Sequence, residues 1–330
     1  LNSTENASVH RAKGEAVSTA SPRDYFDLMK PRVMTLVVFT AFAGLIAAPV
    51  DVDPFLALIS IFALAMGAGA AGALNMGYDA DIDATMKRTQ KRPVPRGAVR
   101  PSEAYGMGIV ASLLSVLIMM LAANYLAAGL LAFSIFFYAV IYTMILKRST
   151  PQNIVIGGAA GAFPPMIGWV IATGEISLDA VILFMIIFLW TPPHSWALAL
   201  YKSGDYAAAN VPMMPVAKGP KSTRLQILLY SIVLVVFAGA PVVTGLGGIA
   251  YAATSLGGGA LFLLLAVRVF NSRAGEAGSA EEGELYAVRA GDKAARDLFA
   301  FSIGYLAALF AALIVEHAFG FYWAFPGLGA

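Results

Sequence analysis

The sequence predicts an all-α, polytopic membrane protein with nine transmembrane helices, its N-terminus in the cytoplasm and its C-terminus outside. Three observations predict this. Of 330 residues, 59% are hydrophobic and only 13% charged, well below the roughly 25% charged content of a soluble domain, and the mean hydropathy is +0.74. Apolar runs near the ~20 residues that a membrane-crossing helix needs occur at 33–50, 55–74, 105–123, 125–145, 153–173, 178–200, 225–246, 249–270 and 298–319. If every run crosses, the connecting segments alternate sides, and all 22 Lys and Arg residues fall on one side, in segments 1–32, 75–104, 146–152, 201–224 and 268–297. The other side carries only acids: Asp51, Asp53, Glu175, Asp179 and Glu316. One helix more or fewer would scatter basic residues over both sides, so the positive-inside bias sets both the number of spans and their direction. The absence of cysteine excludes disulfides, thiolate metal sites, iron–sulfur clusters and cysteine nucleophiles.

Residues 1–23 are polar, carry Glu5 and Glu15, and lack both the apolar core of a signal peptide and the acid-poor pattern of a transit peptide. They are expected to form a disordered cytoplasmic tail, leaving 24–330 as the nine-helix domain. Gly67, Gly69 and Gly72, and Gly157, Gly158 and Gly161, lie inside apolar runs, which reads as close helix packing rather than a phosphate loop. Segment 271–293 reads as a solvated linker. The two large loops, 75–104 and 201–224, echo one another: Asp83 precedes Arg92-Pro93-Val94-Pro95-Arg96-Gly97, and Asp205 precedes Val211-Pro212-Met213-Met214-Pro215 and Lys218-Gly219. This suggests a duplicated helix–loop–helix unit with both loops facing one cavity.

The chemistry concentrates in Asn75 to Gly97. No turn signal follows the second span until Pro93, so the helix is expected to run on. At 3.6 residues per turn, Asn75, Asp79 and Asp83 then share one face over about 12 Å, and Asp81 points elsewhere. Oxygen ligands at that spacing suit Mg²⁺, which prefers one or two carboxylates plus substrate phosphate oxygens. Lys87, Arg88, Lys91, Arg92 and Arg96 follow, groups that complement a polyphosphate. The alternative is that the acids decorate a helix end and the basic residues meet anionic lipid head groups. Mutual repulsion of three closely spaced aspartates favours a bound cation. Of the histidines, His10 lies in the tail and His317 at the outer end of the last span. His194, in Thr191-Pro192-Pro193-His194-Ser195-Trp196, lies near the cytoplasmic end of the sixth span. An ionisable residue there is a functional candidate; the other reading is a packing histidine in a helix unwound by its two prolines.

These residues resemble the UbiA superfamily of membrane prenyltransferases and, within it, the haem-modifying branch. The matching stretches are Lys30-Pro31-Arg32, Asn75 to Gly97, Tyr142 to Gly158, Pro164 to Trp169, Trp190 to Trp196 and Asp205 to Pro215, with a looser match from Phe299 to Phe310. The resemblance implies a multi-pass enzyme of the bacterial cytoplasmic (inner) membrane. It would join the farnesyl group of farnesyl diphosphate to a vinyl group of haem B, giving hydroxyethylfarnesyl haem (haem O) and diphosphate. It implies that Asn75, Asp79 and Asp83 hold Mg²⁺ on the diphosphate, that Arg92 and Arg96 assist, and that His194 serves haem as iron ligand or acid–base group. Lys87, Arg88, Tyr142, Lys147, Arg148, Lys202 and Asp205 are the further expected substrate-binding residues, and Tyr78, Tyr142, Phe163 and Trp196 the aromatic shields. The superfamily's second Asp-rich motif is incomplete here, because Tyr201 stands where its first acid is expected; Lys202 or Lys218 would neutralise phosphate instead. Implied partners are the two substrates, membrane lipid, and haem A synthase or terminal-oxidase assembly factors, with no nucleic acid. A prenyltransferase acting on a quinone precursor or chlorophyllide stays open, as does a transporter, which the clustering of polar residues at one membrane face disfavours.

Overall fold

The structure, a computed structural model, describes residues 20–276 and 290–320. The expected tail before residue 20, most of the linker and the C-terminal residues 321–330 lie outside the described residues. Lipid offers the backbone no hydrogen-bond partners, so each apolar run must pair its own N–H and C=O groups, and every regular element among the described residues is helical. In chain order these are α1 (Pro22–Leu28), α2 (Pro31–Ala47), α3 (Pro54–Tyr78), α4 (Ala80–Thr85) and α5 (Pro101–Ala122). Next come α6 (Tyr125–Ser149), α7 (Asn153–Thr173) and α8 (Leu178–Tyr201), then the short α9 (Ser203–Ala208) and α10 (Met214–Ala217). Finally α11 (Pro220–Thr244), α12 (Ile249–Phe270) and α13 (Lys293–Ala318) complete the domain. Eight of these are long and apolar enough to cross a membrane, and α1 with α2, bent by 52° at their junction, supplies the ninth span. Proline occupies the first turn of α1, α2, α3, α5 and α11, where its missing N–H costs nothing. Asp53, Asn124 and Ser177 cap α3, α6 and α8 with side-chain oxygens.

Successive spans pack on one another and α13 returns to α2, closing a ring. α7 and α8 are its most enclosed members. α2 crosses α7 with the backbones touching: a Cβ on Gly44 would lie 2.1 Å from the Pro165 carbonyl oxygen, and one on Gly168 1.9 Å from that of Ala41. Gly67 meets Leu131, Gly69 meets Met29 and Gly158 meets Thr191, whereas Gly161 faces open space.

Two local expectations need correction. α3 does not run straight on: Asp79 (φ −86°, ψ 11°) ends it and α4 restarts at Ala80. The bonds Asp79 N–H to Asn75 C=O (2.9 Å) and Asp83 N–H to Asp79 C=O (2.8 Å) nevertheless carry the helical face across the break. Nor is α8 unwound at Pro192-Pro193; it is continuous to Tyr201. It is clamped by α7, α11 and α13, and the Thr191 hydroxyl donates to the Ile187 carbonyl at 2.8 Å. The loop echo has a structural counterpart, since α3 and α8 are each followed by a six-residue helix, α4 and α9.

Candidate active site

Asn75, Asp79 and Asp83 are 3%, 0% and 1% exposed. Each oxygen face meets a cation from a different part of the chain. The Lys30 ammonium donates to Asn75 Oδ1, that of Lys147 to Asp79 Oδ2, and Arg92 Nη1 to Asp83 Oδ2 at 2.6 Å. Asn75 Nδ2 donates to Asp79 Oδ2 (2.8 Å) and to Thr143 Oγ1 (2.9 Å), fixing its amide orientation. Asp79 Oδ1 is buried with no hydrogen-bond partner, and Arg148 Nη2 stands 3.5 Å away. Asp81 turns outward, its side chain 64% exposed. The Arg148 guanidinium forks onto it at 2.7 Å to each oxygen, and that hydrogen bonding holds the Asp81 carboxyl below its usual range.

An orphaned oxygen on a fully buried carboxylate is costly, and a cation ligand at Asp79 Oδ1 would satisfy it. Among the described residues no group of three His, Asp or Glu side chains could enclose a metal by itself. A cation here must complete its shell with substrate oxygens and water, which is how Mg²⁺ is usually held. The residues therefore fit that ion.

Lys147 reaches the site because α6 is not α-helical throughout. Phe137–Leu146 is a π-helix, marked by the Thr143 hydroxyl bonding back five residues to the Tyr138 carbonyl at 2.7 Å. In an α-helix, residues 138 and 147 would point about 180° apart; at the ~4.4 residues per turn of an i→i+5 ladder they nearly align. Tyr138 and Tyr142 stack at 5.4 Å between ring centres. Tyr142 fits only because residue 157 is glycine: a Cβ there would lie 2.2 Å from its ring. Lys30 sits in the α1–α2 corner with φ of 54°, a left-handed conformation uncommon outside glycine.

A polar cavity of about 220 Å³ is lined by Lys30, Asn75, Asp83, Arg88, Arg92 and Lys147 and walled by Tyr138, Tyr142 and Tyr206, while Asp79 is not among its lining residues. Lys30 and Tyr138 also head a second, apolar cavity of about 130 Å³ between α2, α3, α6 and α7. That cavity descends to Leu64, Leu131 and Ile167 and adjoins lipid at the exposed Val33 and Gly161.

The remaining sequence-predicted residues fall in different places. Arg88 lies on the polar cavity, over the Tyr206 ring at 5.6 Å. Lys87 is exposed and outside it. Arg96 is also outside: it pairs with Asp24 of α1, tying the loop to that helix. Lys202 lies over the Tyr201 ring (5.6 Å), and neither it nor Asp205 lines the cavity, where Tyr206 takes that side. His194 faces α13, sandwiched between Trp190 (4.1 Å) and Phe299 (4.6 Å), with Nδ1 2.7 Å from Ser302 Oγ; its neighbour Ser195 lines the cavity. Trp196 is fully buried, edge-on to Tyr230 at 5.4 Å, and Phe163 packs against Phe133 and Phe184. Tyr78 lies outside under Arg148, so Tyr142 is the expected aromatic shield that borders the cavity. Lys30, Tyr138, Thr143, Ser195 and Tyr206 went unassigned in the sequence. Lys30 carried a signal, a cation followed by Pro at the mouth of the first apolar run; Tyr138 carried none without the π-helix.

The closed ring of spans, with carboxylates and cations gathered where an apolar shaft begins, defines a membrane prenyltransferase. The chain belongs to the UbiA prenyltransferase family, whose model matches residues 36–282. Within it, the chain is 88% identical over 319 residues to the protoheme IX farnesyltransferase of Maricaulis maris (strain MCS10), covering 97% of each chain. It is 60% identical over 317 residues to that of Caulobacter sp. (strain K31), covering 92% of each. Among solved structures, a digeranylgeranylglyceryl phosphate synthase superposes with a TM-score of 0.70 at 18% identity, covering 89% of this chain and 97% of that one. A UbiA homologue from Archaeoglobus fulgidus bound to GPP and Mg²⁺ gives 0.60 at 16% identity, covering 88% and 99%. At such identities the structures bear on the fold alone.

Proposed function

We infer that this chain transfers the farnesyl group of farnesyl diphosphate to a vinyl group of haem B in the bacterial inner membrane, yielding haem O and diphosphate. The observation that carries the reading is the junction at Lys30 and Tyr138, where a cation-lined chamber meets an apolar shaft. A prenyl diphosphate divides at the same point into charged head and hydrocarbon tail. The close farnesyltransferase relatives support the choice of acceptor over a quinone precursor or chlorophyllide.

In this reading Lys30, Arg88, Arg92 and Lys147 donate to the diphosphate oxygens, and their positions are set before substrate arrives. Asn75, Asp79 and Asp83 would hold Mg²⁺, which when bound offsets the charge that develops on the departing diphosphate. The C1–O bond breaks and its electron pair leaves with the diphosphate. The stacked faces of Tyr138 and Tyr142 shield the cationic C1. The haem vinyl π-electrons then form the new C–C bond, and water captures the resulting cation and releases a proton. His194 serves the haem side: with Nδ1 engaged by Ser302, Nε2 is the nitrogen left for iron or a proton. The basic side of the membrane, where the site lies, is the cytoplasmic one by the charge bias. The proposed protein partners are haem A synthase or terminal-oxidase assembly factors.

The test is incubation of purified protein with haem B, farnesyl diphosphate and Mg²⁺, reading product mass. A hydroxyethylfarnesyl adduct is expected. No haem adduct here, with an adduct formed when a quinone precursor or chlorophyllide replaces haem B, would overturn the assignment.

A further inference from the structure

The apolar cavity has a measurable depth. On α3 it runs from Gly72 to Leu64 and on α6 from Tyr138 to Leu131, eight and seven residues, hence about 10–12 Å at 1.5 Å per residue. Its shaft is walled by small residues, Ala68, Ala71 and Gly72 among them, and its floor by three branched side chains, Leu64, Leu131 and Ile167, which are 1%, 2% and 1% exposed. Leu131 is wedged against α3, where a Cβ on Gly67 would meet its Cδ1 at 2.9 Å. The floor is therefore buried, and Leu131 in it is packed against α3.

An extended isoprene unit spans four chain bonds of about 1.5 Å each and, in zigzag, advances about 5 Å. The shaft then holds two units below Lys30 and Tyr138, and the first unit, bearing C1, sits beside the diphosphate in the chamber above. We propose that Leu64, Leu131 and Ile167 form a floor that limits the isoprenoid to three units, so that a fifteen-carbon chain fits and a twenty-carbon chain does not. This rests on the reading of the shaft as the prenyl-tail site, and it assigns the length selectivity to residues far from the reacting atoms.

The test gives the full-length protein, in lipid nanodiscs with haem B and Mg²⁺, an equimolar mixture of geranyl, farnesyl and geranylgeranyl diphosphates, and reads adduct masses. The wild type should favour the fifteen-carbon adduct. Leu131→Ala should raise the ratio of twenty- to fifteen-carbon adduct at least about tenfold, the scale at which an apolar pocket discriminates a methylene. Ala68→Leu, which fills empty shaft rather than opening the core, should shift the preference toward the ten-carbon chain by a similar factor. It decides the matter alone if Leu131→Ala does not fold. Active variants with the wild-type length preference would overturn the floor and send the tail sideways between Val33 and Gly161. No adduct of any length from the wild type would overturn instead the proposed function, so the two failures are distinguishable.

Discussion

Lys147→Met removes the ammonium that sits on Asp79 while keeping the length of the side chain. Asp79 is fully buried, and its other contacts are the Asn75 amide at 2.8 Å and Arg148 at 3.5 Å. Deleting one partner of a buried ion pair costs about 3–5 kcal/mol; the remaining Asn75 bond argues for the lower end, about 3 kcal/mol. At roughly 2–4 °C per kcal/mol, the Mg²⁺-free variant should melt about 6–12 °C below the wild type. Mg²⁺ should restore more stability to the variant than to the wild type, because the lysine no longer competes for the carboxylate. Farnesyl diphosphate affinity should move the other way, falling about 10- to 150-fold for one lost charge-assisted bond of ~1.5–3 kcal/mol. Thermal melts across a Mg²⁺ titration, with and without farnesyl diphosphate, measure both. A variant that melts with the wild type in the absence of metal and responds identically to Mg²⁺ would show that Lys147 does not balance the Asp79 charge.

Other outcomes follow from the same geometry. Arg92→Ala should raise KM for farnesyl diphosphate about 10- to 100-fold, whereas Arg96→Ala, whose partner is Asp24, should leave KM within about threefold in the same steady-state assay. Gly157→Ala puts a methyl 2.2 Å from the Tyr142 ring; displacing that ring into the chamber should lower kcat/KM by about 100-fold in protein that still inserts, as checked by circular dichroism. His194→Ala should leave diphosphate binding intact while reducing turnover. A changed Soret band of bound haem would assign the residue to iron, an unchanged band to proton transfer, and full activity would return it to packing.

What could be read from the sequence divides along physical lines. Span number came from run length and the one-sided distribution of Lys and Arg, since lipid penalises any other arrangement of such residues. The Asn75, Asp79 and Asp83 face depended only on i,i+4 spacing, and it survived the break at Asp79 because the backbone bonds continue through it. The convergence of Lys30, Arg92 and Lys147 on that face was not legible. It depends on a left-handed corner, a loop and a ten-residue π-helix, and the helical period used to read a sequence assigns Tyr138 and Lys147 to opposite faces. The pairing of Arg96 with Asp24 was not legible for a related reason, because Asp24 lies 72 residues away in the chain. The prolines before His194 suggested unwinding, which is the usual local effect, but α8 is held from three sides and stays helical.

The buried Asn75–Asp79–Asp83 face is proposed to drive prenyl transfer to haem. The most direct measurement of that role is the mass of the haem product formed in a single turnover by wild type, Asp79→Ala and Asp83→Ala, each with Mg²⁺ and farnesyl diphosphate in lipid nanodiscs. A hydroxyethylfarnesyl adduct is expected from the wild type and none above background from either variant, with haem binding retained in all three. An undiminished adduct from either aspartate variant would contradict that role.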